Sequence, residues 1–263
     1  MRIYIMADFE GACAVVGTAG EPLGASSHQY EFARRMVTAE INAAIEGALA
    51  GGATDIIVND SHGGGLNLIY DELHPEARLV IGSPAPRRML GLERDFAGLF
   101  LIAYHAMAGT ENGVLAHSFS STGIQNMWLN GLRVGEIGVD AAMAGSLGVP
   151  VLLVTSDAAG VAEARAVLGD QVRAVAVKQG LGRNHALSLH PLKAQALIRE
   201  AAEDAVRHAT EARPLVVQPP YRLRTEYKLE SSVDQVLGRG ALNVSRLDSR
   251  TVEVVADDIF QLI

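Results

Sequence analysis

The stretch that decides the fold contains three consecutive segments: IYIMA (3–7), YEFARRMVTAEINAAIEGALAGG (30–52) and DIIVN (55–59). The first and third are continuously apolar, which indicates buried strands covered on both faces, as in parallel sheets. The middle segment keeps apolar residues at helical spacing and ends on Gly51 and Gly52, which is typical of a helix C-terminus. The stretch therefore predicts a βαβ unit.

Further apolar runs and helical patterns extend this unit along the chain. Strands are predicted at RLVIG (78–82), LFLIAY (99–104) and VLLVTS (151–156). Helices are predicted from about Glu136 to Gly148 and over residues 191–212. This alternation predicts an α/β fold with a mostly parallel sheet flanked by helices.

The pattern changes near Leu215, where strand-like runs surround a short helical segment, SSVDQVLGR (231–239). These runs are LVVQ (215–218), RLRTEYKL (222–229), ALNVSRL (241–247) and TVEVVA (251–256). There is no linker, repeat or low-complexity tract between the two patterns. We therefore expect a single domain over residues 1–263, with a core of about 1–180 and a smaller C-terminal α+β part of about 181–263 packed on it.

Composition excludes several classes of protein. The 263 residues are 49% hydrophobic and 20% charged, as in ordinary folded chains. A formal net charge of −8 and the lack of a Lys/Arg stripe argue against nucleic-acid binding. Cys13 is the only cysteine, so an intrachain disulfide and a thiolate zinc cluster are both impossible. With no signal peptide and no apolar run of membrane-spanning length, we expect a cytoplasmic protein that does not contact a membrane.

Polar residues cluster where the predicted strands end. Asp8 and Glu10 follow the first strand, Asp60 and His62 follow the second, and His105 follows LFLIAY. Ligands of open parallel sheets bind at this edge, and residues two apart on extended backbone point the same way. Two converging carboxylates repel each other unless a proton or cation lies between them. Carboxylate and imidazole together suit zinc and related divalent ions.

Simpler explanations exist for each residue taken alone. Acids after a strand often begin turns or cap helices, and His105 could be a hydrogen-bonded core histidine. Glu136 could simply favour the N-terminus of a helix, and His117 is a weak signal by itself. Three clusters at successive strand ends nevertheless favour a metal site. The five remaining histidines have no acidic neighbours at ligand spacing, and we expect surface or structural roles for them.

Other chemistries are not supported by the motifs. The sequence has no G-x-x-x-x-G-K-[ST] loop, no G-x-S-x-G elbow and no H-E-x-x-H helix. Asp60, Ser61 and His62 are the residue types of a catalytic triad, but alternation should point Ser61 away from His62. Cys13 follows a strand end, and we expect a small buried thiol rather than a nucleophile.

Five short motifs in order resemble the D-aminopeptidase family of metallopeptidases, peptidase family M55: MADFEG (6–11), NDSH (59–62), YHA (104–106), AHS (116–118) and VGEIG (134–138). The resemblance extends over nearly the whole chain, including LHPEA (73–77), VPVLLV (149–154) and AVKQGLGR (176–183). One flanking residue departs from the family, since Ala103 stands where a glycine often precedes the Tyr-His pair.

The resemblance implies a site with two zinc ions bridged by Asp8. Glu10 and His62 would complete one metal site. His105 and Glu136 would complete the other, and His117 matches the catalytic histidine of the family. It also implies a homo-oligomeric ring that encloses the active sites, such as a decamer.

The leading hypothesis is a zinc-dependent aminopeptidase that hydrolyses short peptides with a free N-terminus, including peptides of D-residues. Asp60 would either orient a ligand such as His62 or His105, or form a turn. One alternative is a bimetallic amidase or phosphoesterase on the same scaffold. Another is a non-catalytic protein that binds an amine or peptide in the acidic pocket.

Overall fold

The computed structural model describes residues 1–240 and 243–263 and contains two β-sheets and five α-helices in that part of the chain. The strands are β1 (Arg2–Ala7), β2 (Asp55–Asp60), β3 (Ala77–Val80), β4 (Gly98–Ile102), β5 (Ile124–Leu129), β6 (Leu132–Arg133), β7 (Val151–Asp157), β8 (Arg173–Gly182), β9 (His185–Ser188), β10 (Tyr221–Tyr227), β11 (Val244–Arg246) and β12 (Thr251–Ala256). The helices are α1 (Tyr30–Ala50), α2 (Glu136–Ser146), α3 (Ala158–Leu168), α4 (Pro191–Arg207) and α5 (Glu230–Gly238).

The predicted βαβ unit is present at the centre of the larger sheet. Its strand order is β3-β2-β1-β4-β7-β8-β9, and all neighbours are parallel except the β8–β9 pair. α1 ends at Ala50 with Gly51 as its C-cap, and Gly52 follows with a φ of 105°, a left-handed conformation that glycine adopts without strain. The prediction of a mostly parallel sheet flanked by helices is confirmed.

The central strands are buried on both faces, which is why their sequences are continuously apolar. Ile3 and Ile5 belong to a core formed with α1 and α4, whereas Tyr4 and Met6 belong to a second core formed with α2 and the smaller sheet. All four side chains are fully buried. Each apolar residue of β1 therefore contributes to one of two cores, at about 1.5–3 kcal/mol per large side chain.

The smaller sheet is antiparallel, with the strand order β11-β12-β10-β5-β6. Two of its strands, β5 and β6, come from the middle of the chain and not from the C-terminal region. The α+β character predicted after Leu215 is therefore present, but the sheet that carries it also uses residues 124–133. β8 crosses residue 180, and the division of the domain near that point stays a prediction.

Several local predictions were wrong or incomplete. LVVQ (215–218) forms no strand and runs as irregular backbone. The carbonyl of Leu215 in this segment lies against Gly145 of α2. Sequence reasoning did not identify β5, β6, β8, β9 or α3. Within ALNVSRL, residues 244–246 form β11, whereas Ala241 and Leu242 lie outside the described residues. Among the described helices, none combines the length and apolar character that a bilayer crossing requires.

The order of the larger sheet fixes where a ligand can bind. From β1 the chain first builds outward through β2 and β3, and then returns to place β4 on the other side of β1. Loops after β1 and β4 therefore diverge, which leaves a crevice at the carboxyl ends of these strands. Asp8, His62 and His105 follow β1, β2 and β4 at this edge.

Candidate metal centre

The loops that carry the candidate ligands are joined by backbone hydrogen bonds. Asp8 N–H donates to the Ile102 carbonyl at 2.9 Å, and Gly11 N–H donates to the Ala103 carbonyl at 2.8 Å. A Cβ at Gly11 would lie 1.7 Å from the Tyr104 carbonyl oxygen, so only glycine permits this approach. The loop after β1 is thereby held against the segment that leads into His105.

Asp8 lies between two groups of side chains and offers one oxygen to each. Its Oδ1 is 3.1 Å from His62 Nδ1, and its Oδ2 is 3.2 Å from His105 Nε2. Glu10 Oε2 is 3.2 Å from the same His62 nitrogen, and Glu136 Oε1 is 3.3 Å from the same His105 nitrogen. The five residues predicted as ligands are thus brought together in two halves around Asp8.

Each histidine of the cluster is oriented by a backbone carbonyl. His62 Nε2 donates to the Leu23 carbonyl at 2.5 Å, His105 Nδ1 to Ala106 at 3.0 Å, and His117 Nδ1 to Leu115 at 2.9 Å. A carbonyl oxygen only accepts, so the proton of each neutral ring is fixed on that nitrogen. The other nitrogen then presents a lone pair to the carboxylates, as metal-ligating histidines do.

The pKa shifts in the cluster indicate that positive charge lies between its carboxylates. Asp8 and Glu136 are buried, yet the imidazoles of His105 and His62 keep the pKa of Asp8 well below its usual range. Burial opposes a charged imidazole, but Glu136 and Asp8 outweigh it and raise the pKa of His105 well above its ordinary value. The carboxylates thus retain positive charge between them, either as protons or as a divalent ion.

Orphaned polar atoms point to the same conclusion. Asp8 Oδ2, Glu10 Oε2 and His105 Nε2 are buried and form no hydrogen bond of good geometry with a described residue, although Asp8 Oδ2 and His105 Nε2 are 3.2 Å apart. Leaving such atoms unpaired costs about 1–3 kcal/mol each, and more for charged groups. The ligand atoms of Asp8, Glu10 and His105 lie within 4.8 Å of one another. A His/carboxylate donor set of this kind fits zinc.

His117 lies against the second half of the cluster. Its ring stacks on His105, with centroids 4.0 Å apart and planes 12° apart, and its Nε2 is 3.8 Å from Glu136 Oε1. Burial, together with the charge of His105, lowers the pKa of His117, so that its neutral form is favoured. Its ligand atom also lies within 4.8 Å of those of His105 and Glu136. Geometry alone therefore allows two roles, proton transfer or metal ligation.

Three residues that the sequence did not single out form a network beside Glu136: Tyr104 and Asp140 are fully buried, and the Arg88 side chain is 16% exposed. Arg88 pairs with Asp140 through two nitrogens, and Tyr104 donates its hydroxyl proton to Asp140 Oδ2 at 2.6 Å. Arg88 Nη2 is 3.8 Å from Glu136 Oε2. Asp140 lies one helical turn after Glu136 on α2, which is a visible signal, whereas Arg88 lies in a loop and has none.

Lys178 supports the loop that carries Glu10. Its Nζ is buried and donates to the carbonyls of Glu10, Ala12 and Val15 at 2.5, 2.7 and 2.5 Å. Burial lowers the pKa of this amine to about 8, against the attraction of nearby acids such as Asp157. A lysine within the apolar run AVAVKQG (174–180) could have suggested a buried charge with designated partners.

The remaining predicted residues have structural roles. Asp60 accepts hydrogen bonds from the Asn67 and Leu68 backbone and from His62 N–H, which forms the turn, and it makes no hydrogen bond to an imidazole of the described residues. Ser61 donates to the Ala7 carbonyl at 2.9 Å, away from a triad geometry. The thiol of Cys13 is buried, as predicted, and donates a hydrogen bond to the Leu189 carbonyl.

A cavity of about 320 Å³ opens onto the cluster. It is lined by Asp8, Glu10, Pro22, Leu23, Ser61, His62, Gly63, Arg88, His117, Phe119, Ser120, Ser121, Thr122 and Glu136. This volume is at the lower end of cavities that hold small molecules, which span about 300–1,000 Å³. The arrangement can hold a divalent cation and present it to a small polar molecule.

Known proteins share this sequence and architecture. The model of the D-aminopeptidase family, Peptidase M55, matches residues 1–263. A D-aminopeptidase of Bacillus subtilis (strain 168) is 36% identical over 223 residues, which are 84% of this chain and 79% of the relative. The solved structure of the zinc-dependent D-aminopeptidase DppA from Bacillus subtilis, a self-compartmentalizing protease, matches with a TM-score of 0.90 at 30% identity, covering 100% of this chain and 94% of that chain. The chain therefore belongs to the D-aminopeptidase family, peptidase family M55, and is a metal-dependent aminopeptidase.

Proposed function

We propose that the protein binds two zinc ions per subunit and removes N-terminal residues from short peptides, including peptides of D-residues. Asp8, Glu10 and His62 hold one ion, and Asp8, His105 and Glu136 hold the other. The observation that carries this proposal is the position of Asp8, whose two oxygens each meet an imidazole nitrogen at 3.1 and 3.2 Å. Because the two oxygens face different histidines, each with its own glutamate, Asp8 is positioned to bridge two ions.

When bound, the zinc ions lower the pKa of water and polarise the scissile carbonyl. Residues of the chain accept and deliver the proton that is transferred during the reaction. With Nδ1–H held by the Leu115 carbonyl, His117 Nε2 accepts the proton that the attacking water loses. His117 then delivers that proton to the departing amine as the carbon–nitrogen bond breaks. The lowered pKa of His117 keeps it neutral and ready to accept.

The size of the cavity supports short substrates. About 320 Å³ accommodates a few residues. We further propose a homo-oligomeric ring, because the structurally similar DppA is a self-compartmentalizing protease. A cytoplasmic location agrees with the single, reduced cysteine.

Metal removal and stoichiometry test this function. Chelated protein is expected to lose hydrolysis of D-Ala-D-Ala, L-Ala-L-Ala and Gly-Gly, and zinc is expected to restore hydrolysis of at least one of them. Elemental analysis is expected to give two zinc ions in the wild type. Asp8→Ala is expected to remove both ions, because Asp8 contacts both halves, whereas Glu10→Gln should weaken only one. Full activity in metal-free protein would contradict the proposal.

The same assay decides the role of His117. His117→Ala is expected to retain both zinc ions and to lose about 10²–10⁴-fold in turnover, as is usual when an acid–base group is removed. His28→Ala is the matched control, because the His28 side chain is 81% exposed and pairs only with Glu21. Loss of one zinc ion from His117→Ala would identify His117 as a ligand instead.

A further inference from the structure

We propose that Arg88 binds the C-terminal carboxylate of the substrate and so selects dipeptides that carry a free carboxyl group. This inference rests on the proposed function and names the substrate class of the same site. Among the described residues that line the cavity, Arg88 is the only lysine or arginine. The three carboxylates of that lining would hold the zinc ions, and Arg88 is the one side chain there with a permanent positive charge.

The guanidinium of Arg88 is held rigidly by the protein. Asp140, which is fully buried, accepts from Nε and from Nη2, the latter at 2.6 Å. The Cζ atom lies 5.0 Å from the centroid of the Phe119 ring, within cation–π range. The Tyr104 hydroxyl fixes the carboxylate of Asp140 in turn. A fixed guanidinium loses little entropy when it binds a second carboxylate.

One nitrogen of Arg88 remains available to a ligand. Nε and Nη2 are engaged by Asp140, whereas Nη1 makes no hydrogen bond to any described residue and is not sealed from solvent. The side chain is 16% exposed although its partner Asp140 is completely buried. An arginine that served only to neutralise Asp140 would not need to line the cavity. A charge-assisted hydrogen bond to an incoming carboxylate would satisfy Nη1.

Backbone conformation next to Arg88 also indicates a functional position. Met89 has a φ of 57° and is fully buried, so a bulky residue occupies the left-handed region in the core. This conformation costs about 1–2 kcal/mol for a residue other than glycine. Anchoring of Met89 in the core directs the preceding residue, Arg88, toward the crevice.

The distance from Arg88 to the proposed metal ligands fits a dipeptide. Its Nη2 is 3.8 Å from Glu136 Oε2, so the guanidinium borders the place where the scissile bond must lie. In a dipeptide, only the peptide nitrogen and one Cα separate the scissile carbonyl carbon from the terminal carboxylate. Each added residue moves that carboxylate away by about 3.3–3.6 Å, beyond direct reach of Arg88.

The test compares a dipeptide with its C-terminal amide. Release of free D-alanine from D-Ala-D-Ala and from D-Ala-D-Ala amide is measured with the zinc-loaded wild type, Arg88→Met and Arg88→Lys. The wild type is expected to favour the free acid by about 10–100-fold in kcat/KM, as for loss of a charge-assisted hydrogen bond. Arg88→Met should bring this ratio close to one, mainly through KM. Arg88→Lys should give an intermediate ratio, because lysine keeps the positive charge but lacks the paired N–H donors of a guanidinium group.

Several outcomes would overturn the proposal. Equal kcat/KM values for the acid and the amide in the wild type would overturn it without any variant. This comparison remains valid even if Arg88→Met misfolds or loses zinc. An equal loss for both substrates in Arg88→Met would assign Arg88 to stabilisation of the developing oxyanion or to support of Glu136. If the wild type cleaves neither peptide, the proposed function fails, and calorimetric titration of both peptides into zinc-loaded protein decides the subsite. Equal Kd values for acid and amide would then refute it.

Discussion

At the scale of single residues, Ala103 shows how the backbone prepares the site. It lies just after β4 and directly before Tyr104 and His105, with a φ of 60°. A glycine often stands at this position in the family that the sequence resembles, and a left-handed backbone is a physical reason for that preference. The Ala103 N–H donates to Thr155 Oγ1 at 2.8 Å, and its carbonyl accepts from Gly11. The unusual conformation therefore lets one residue join three segments of the site.

Substitutions at Ala103 test this explanation. Ala103→Gly is expected to change the free energy of unfolding by less than about 1 kcal/mol, because relief of backbone strain offsets the added entropy of the unfolded chain. Ala103→Val is expected to destabilise by about 2 kcal/mol or more, since a β-branched side chain is poorly tolerated at positive φ in a fully buried position. Urea titrations of the metal-free proteins measure both. Equal stability of the valine and glycine variants would refute the explanation.

At the scale of elements, α1 supports the loop after β1 through a buried acid. Glu40 is 1% exposed, and its Oε1 accepts the Cys13 N–H at 2.7 Å. Its Oε2 has no partner among the described residues, and burial raises the pKa of Glu40 to about 7, partly offset by Lys178. Burial of Glu40 thus lowers the stability of the folded chain, but it holds the loop that carries Asp8 and Glu10 in a fixed position.

This acid predicts a specific pH dependence of stability. The pKa is about 7 in the folded chain and 4.5 as the ordinary value, so between these pH values the folded state holds a proton that the unfolded state releases. Stability of the wild type should therefore fall as pH rises through that window. The neutral Glu40→Gln variant should gain about 3 kcal/mol relative to the wild type between pH 4.5 and 8.

Chemical denaturation of metal-free proteins at several pH values measures this gain. Metal-free protein is used because metal binding would add a pH dependence of its own. Glu46→Gln is the matched control, because Glu46 lies on the same helix but is exposed. We expect no pH-dependent difference between that control and the wild type. A constant difference between Glu40→Gln and the wild type across the window would show that Glu40 is ionised throughout.

At the scale of the whole molecule, four layers place the site at one edge. α1 and α4 cover one face of the larger sheet, α2 and α3 cover the other, and the antiparallel sheet packs beyond α2. The crevice between β1 and β4 opens at the carboxyl ends of the parallel strands, where the cavity lies. This layering leaves the site at the surface of a single subunit, so any enclosure must come from assembly.

The proposed ring therefore has a measurable consequence. A decamer of the 27.8 kDa chain would have a mass of about 280 kDa in light scattering coupled to size-exclusion chromatography. We expect a closed oligomer whose mass is unchanged over a tenfold range of protein concentration. A monomer mass at all concentrations would contradict a self-compartmentalizing assembly for this protein, although it would leave the zinc site untouched.

Local sequence patterns predicted the central part of the fold and most of the candidate site. Continuous apolar runs identified β1, β2, β4 and β7, because burial on both faces leaves no polar alternation. Polar residues at the ends of those strands made Asp8, Glu10 and His62 candidate ligands, since the carboxyl ends of parallel strands lie at one edge of the sheet. Glu136 and His117 needed the family resemblance, because neither follows a predicted strand of the larger sheet.

Features that depend on contacts between distant segments become visible only in the folded chain. β5 pairs with β10 about a hundred residues away, and no local pattern encodes that pairing. LVVQ has strand-like composition, yet it finds no partner strand. Arg88 and Lys178 act through hydrogen bonds to residues more than fifty positions away, as in Arg88 with Asp140 and Lys178 with Glu10. Composition and spacing report burial and direction along one segment, whereas partners are fixed only when the segments pack together.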